Sequence, residues 1–273
     1  MTADPADTSF WKAIRLSRGT VSVVDAQGLC YTRVWCQYEC FITLVKAKID
    51  YKYDVYTAHA HLFGKERSAV GITDGIAETD LGLGEGGASM TKTHREKHFP
   101  LALARRGLDV RVEDAQASQP ADRRHILNAI AGRTADELDL EPHASHPRYT
   151  ELDQTLRGRF LASVWTRLVK EGGDMARWAQ PLRESGLRKL ELSFDSCTQF
   201  DDAQAQLLAG ALPDSLGALD LTLYNSCVGV DGTRALFSAA ARLPRLARLR
   251  FDRAEHSDAA APELARGLRT RDQ

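Results

Sequence analysis

Leu187–Phe194 reads LRKLELSF, and two later stretches, LGALDLTL (Leu216–Leu223) and LARLRFDR (Leu246–Arg253), fall on the same L-x-x-L-x-L frame at offsets of 29 and 30 residues. Leucines at alternate positions of a short run mark a strand with one buried side. Three copies at a near-constant period mark stacked units that bury their leucines against one another. Leu190, Leu192 and their equivalents are therefore expected to point into a shared core. The residues between them then line up in columns on the opposite side: Lys189, Ala218 and Arg248; Glu191, Asp220 and Arg250; Ser193, Thr222 and Asp252. Helical returns should join the strands, through Ala203, Leu207 and Leu212 in one and Leu236, Ala240 and Leu243 in the next. Cys197 and Cys227, ten and eleven residues into their copies, are expected to close the strand-to-helix turns as small apolar side chains.

This pattern resembles the ribonuclease-inhibitor type of leucine-rich repeat over Leu187–Gln273. The resemblance implies a short solenoid of two full repeats and a worn third, which binds other proteins along its curved strand face. The protein-binding positions would be Lys189, Glu191, Ser193, Asp220, Thr222, Arg248 and Arg250. Mixed charge of this kind suits a polar protein surface and offers no constellation for chemistry. Phosphate binding by Arg248 and Arg250 is opposed by the neighbouring Asp220 and Asp252.

Upstream, short β-branched runs alternate with helical patterns. Thr20–Asp25, Asp54–His59, Ser68–Thr73 and Leu108–Val112 read as strands. Arg33–Lys46 reads as a helix with one apolar stripe through Val34, Trp35, Tyr38, Phe41, Ile42 and Val45. A second helix opens after Ser118, with Pro120 in its first turn, and ends at Gly132. Such alternation favours a mainly parallel sheet covered by helices. The stretch DLEPHASHPRY, with two prolines and two histidines, reads as a linker around Leu138–Tyr149, followed by helices over Thr150–Lys170 and Met175–Leu182 broken at Gly172-Gly173. The expected organisation is an α/β unit over 1–137, a linker and helical connector or cap over 138–186, and the repeats over 187–273.

Within the first of these, Phe10–Leu44 is similar to the middle of TIR domains: a helix ending in Ala13, Ile14, Ser17 and Arg18, the apolar strand Val21–Val24, then a helix with Trp35, Cys36 and Glu39 as W-C-x-x-E. The resemblance implies an incomplete flavodoxin-like parallel sheet, because nine residues precede Phe10 where a TIR domain has another strand and helix with its nucleotide-contacting loop. It also places Glu39 where the NAD-cleaving members keep their glutamate, with Trp35 beside it as a cofactor contact. A carboxylate suits that reaction, since cleavage of the nicotinamide–ribose bond builds positive charge on the sugar. The R-x-W-C-x-x-E run joined to leucine-rich repeats also resembles a group of protist leucine-rich-repeat proteins. Two functions follow as expectations. One is a non-enzymatic, cytoplasmic protein-binding or signalling scaffold without cofactor, with self-association a further option. The other is an NAD hydrolase that uses Glu39.

Lys+Arg 36 against Asp+Glu 37 gives a formal charge of -1, which supplies no basic field for nucleic acid. Hydrophobic residues at 43% and charged residues at 27% argue for a folded chain, and no apolar run is long enough to span a membrane. Five cysteines (Cys30, Cys36, Cys40, Cys197, Cys227) are an odd, sparse set and read as reduced thiols. Weaker motifs are Gly82, Gly84 and Gly87 as G-x-G-x-x-G, read as a flexible loop, and Cys36 and Cys40 with His59 and His61 as a low-grade zinc set; no metal site is expected. The basic stretch Thr91–Arg106 reads as an exposed helix, and His94, His98, His125, His143 and His146 as surface residues.

Overall fold

The computed structural model describes residues 5, 8–46, 51–60, 67–73 and 96–252. They form a mixed α/β chain of two compact units, divided between Leu156 and Arg157. The glycine motif, His61 and His94 lie outside the described residues.

In the first unit, α1 (Ser9–Leu16) starts where the Thr8 hydroxyl accepts from the Trp11 N–H, and leads into β1 (Gly19–Val23). β1 pairs in parallel with β2 (Lys52–Ala60), Val21 opposite Asp54 and Val23 opposite Tyr56. The parallel order expected from the sequence ends there. β3 (Arg67–Ile72) runs antiparallel to β2, with Tyr56 opposite Gly71. Six residues separate these two strands, and a parallel crossover needs about a dozen. α2 (Val34–Phe41) continues through a wider π-type turn at Ile42–Lys46, so the helix read over Arg33–Lys46 forms with its last turn loosened.

The strand expected at Leu108–Val112 does not form. Leu108 ends α3 (Leu101–Leu108), and Val112–Asp114 makes a single 3-10 turn whose Val112 N–H is taken by the buried Asp153 carboxylate at 3.0 Å. Val110 and Val112 are buried, so hydrophobicity is satisfied without a ladder. Pro100, which cannot be preceded comfortably by helical backbone, breaks the helix expected over Thr91–Arg106, so α3 begins at Leu101. α4 (Pro120–Ala131) has its proline at the start and Gly132 at φ 88° past its end, as its punctuation requires. The segment after it is pinned: the Asn128 amide donates to the carbonyls of Leu138 and Leu140. α5 (Pro147–Lys170) begins in the first unit and ends in the second, burying Leu152 and Leu156 in one and Phe160, Leu161, Val164, Trp165 and Leu168 in the other.

The second unit continues with α6 (Ala176–Arg183) and then alternates strictly: β4 (Lys189–Ser193), α7 (Asp202–Ala211), β5 (Ala218–Thr222), α8 (Val230–Arg242) and β6 (Arg248–Asp252). The strands form one parallel sheet in chain order. Leu190, Leu219 and Leu249 are register partners, as are Leu192, Leu221 and Phe251. All but the β6 members are fully buried, and Phe251 meets the Phe237 ring of α8 at 4.5 Å.

Two local features differ from the repeat pattern. Cys197 is buried, but Cys227 is exposed; the counterpart of Cys197, 29 residues on, is Ser226, whose hydroxyl donates to the Leu223 carbonyl. The extra residue of the second interval sits later, in the longer α8. In α7 the buried face is Ala205, Leu208 and Ala211, while Ala203 is exposed, because the Asp201 carboxylate caps the Gln204 N–H and fixes where the helix starts.

Candidate functional site

Alternation along β4, β5 and β6 sets the first, third and fifth residues of each strand on the side opposite the leucines, and the ladder lines them up in three columns: Lys189, Ala218, Arg248; Glu191, Asp220, Arg250; Ser193, Thr222, Asp252. All seven candidate protein-binding residues therefore stand on one sheet face. Charges on it are arranged in opposed pairs. The Lys189 ammonium lies 3.0 Å from the Glu191 carboxylate, and the Arg250 guanidinium lies 3.7 Å from Asp220 and 3.6 Å from Asp252. Asp220 holds the centre of the sheet. Partial burial pushes its carboxyl above the ordinary range, with the Arg250 charge pulling it back and Glu191 adding to the rise. These exposed pairs add little stability. They present both signs of charge on one strand face.

Tyr224, two residues past the end of β5, is exposed in the turn that follows the strand. The loop is shaped by Ser196 and Asn225, at φ 53° and 52°, which occupy equivalent positions 29 residues apart.

The pair Trp35 and Glu39 sits on α2 in the first unit. The Trp35 indole N–H donates to the Asp122 carboxylate of α4 at 3.1 Å, and its ring meets Tyr38 edge-on. Glu39 is half-buried, and desolvation raises its carboxyl pKa. Burial also lifts the nearby thiols: Cys36, where Glu39 adds to the rise, and Cys30 and Cys40, each pushed up to about 12. Cys40 is buried, with its sulfur 3.3 Å from the Tyr53 hydroxyl.

A cleft of about 370 Å³ opens in the same unit, walled by Tyr31, Thr32, Arg106, Asp109, Arg111 and Asp114 among others; neither Trp35 nor Glu39 lines it. Among the described residues no three His, Cys, Asp or Glu side chains are grouped to hold a metal ion, and no helix is long and apolar enough to cross a membrane. Compared with known protein families, with characterised proteins and with solved structures, the chain shows no significant similarity to any.

Proposed function

We propose that this chain is a non-enzymatic protein-binding scaffold, whose second unit is a short leucine-rich-repeat arc and whose first is a partial TIR-like unit. The observation that carries the reading is the strand register, which sets seven polar and charged side chains, spaced by the sheet itself, on one face. Rigid spacing lowers the ordering cost of association, and mixed charge selects partners by complementarity. The partner is another protein with an alternating acidic and basic surface. Reversing three charges together, Glu191→Lys, Asp220→Arg and Arg250→Glu, exchanges signs on the central column without touching a buried leucine. The variant should keep its circular dichroism spectrum and lose the proteins that the parent chain retains in a pull-down; retention of every one of them refutes the reading.

The rival reading is a nicotinamide dinucleotide hydrolase. Its support is the raised carboxyl pKa of Glu39, a property that acid–base groups at active sites often share. It predicts release of nicotinamide from NAD that disappears in Glu39→Gln, followed by chromatography at high enzyme concentration. No turnover in the parent chain retires it.

A further inference from the structure

β1 is inside out. Its inward positions are polar: the Thr20 hydroxyl is bonded to those of Thr43 and Tyr51, and the Ser22 hydroxyl to that of Tyr53. Its outward positions are valines, with Val21 59% and Val23 78% exposed, and Leu16 just before the strand is 89% exposed. A parallel pair normally has both faces covered. On β2 the same face carries Lys52 opposite Gly19, Asp54 opposite Val21 and Tyr56 opposite Val23, and the Tyr56 ring lies so close to Gly71 of β3 that a Cβ there would stand 2.7 Å from it.

The backbone of β1 is equally one-sided. The Arg18 carbonyl accepts from the Lys52 N–H, and the Val24 N–H donates to the Tyr56 carbonyl, so the even-numbered residues turn their main-chain groups toward β2. Gly19, Val21 and Val23 turn theirs the other way, to an edge that no described strand occupies. Gly19–Val23 contains none of the proline or lysine with which edge strands discourage pairing.

We propose that this edge is a self-association site: a second copy of the chain adds its own β1 antiparallel, about a two-fold axis through Val21. The register follows from the groups available. Val21 exchanges both main-chain bonds with Val21 of the second copy, and Gly19 does so with Val23, whose side chain faces a position without a Cβ. Antiparallel pairing also brings Arg18, the residue before β1, toward the end of the strand that leads into Asp25 of the other copy. A foreign strand of one charge sign would match only one of these ends, whereas the chain matches both in itself. The two half-sheets become one six-stranded sheet with the exposed valines in a continuous row. This site lies in the first unit and does not depend on the strand face of the second.

The test uses the full chain in sedimentation velocity from low to high micromolar concentration, with amide hydrogen exchange at the same concentrations. The parent should form a reversible dimer. Val21→Pro removes an N–H that the β1–β2 ladder does not use, so the fold should tolerate it as edge strands do, while association weakens by about tenfold or more. In the parent, exchange at Gly19, Val21 and Val23 should slow as concentration rises, while Thr20, Ser22 and Val24 remain protected throughout; this reading holds whether or not the proline variant folds. A monomer at every concentration overturns the proposal. So does a dimer in which those three amides stay unprotected.

Discussion

At Gly232, in the first turn of α8, a Cβ would stand 2.5 Å from an Asp202 carboxylate oxygen, 2.7 Å from a Val228 methyl and 2.9 Å from the Ala205 Cβ. The same Asp202 oxygen accepts from the N–H groups of Gly229 and Gly232, at 2.6 and 2.9 Å, so one carboxylate at the start of α7 satisfies the start of α8. Helix propensity alone favours alanine over glycine by about 1 kcal/mol. Overpacking costs about 1–3 kcal/mol, and here it is joined by displacement of two charge-assisted bonds. Gly232→Ala should therefore destabilise the protein by about 1–3 kcal/mol in urea unfolding. Gly210, in α7, has no atom within 4 Å of its added Cβ, so Gly210→Ala should stabilise by about 0.5–1 kcal/mol. Equal effects of the two substitutions would show that the Asp202 bridge does not join the helices. Sequence reading saw neither role, because a glycine's neighbour across a repeat is set by stacking.

Among elements, the turn before α5 is built from basic groups. His143 and His146 rings stand 5.3 Å apart, Arg133 donates to His143, and Arg148 lies over Gly132 at the end of α4. The His146 Nδ1 accepts the Arg148 backbone N–H, which it can do only without a proton there. Partial burial, then the charges of His143, Arg148 and Arg133, hold the His146 pKa below its ordinary 6.5. A histidine depressed on folding supplies stability that is intact above its unfolded pKa and is lost as pH falls through the folded one. The backbone over Pro142–Arg148 should therefore exchange amide hydrogen faster, relative to intrinsic rates, below about pH 6 than at about pH 7.5. His146→Gln should flatten that dependence; an unchanged acid response in this variant would place the titrating group elsewhere. LDVRV in the first unit has strand composition, but Asp153, about forty residues on, takes the Val112 N–H, and no described strand pairs with it.

For the whole molecule, the leucine frame determined the most. Columns written from L-x-L alternation coincide with the register of β4, β5 and β6, because a parallel sheet made of repeats converts sequence offset directly into lateral position. The six-residue connection that forces β3 antiparallel was also present in the sequence, as a length constraint. Trp35 and Glu39 were legible as residues on a helix, but their surroundings were not: Asp122, eighty-seven residues away, holds the indole, and the cleft of the same unit, walled by Tyr31, Thr32, Arg106 and Asp109 among others, leaves both out. What the sequence determined by itself is whatever repeats at the period of a strand, a helix turn or a stacked unit, since those periods are local geometry. The tertiary structure alone decided which polar groups are buried together, as in the Ser22, Tyr31, Cys40 and Tyr53 cluster, and which strand edge is left unpaired. Both depend on contacts between residues far apart in the chain, and no local period encodes those contacts.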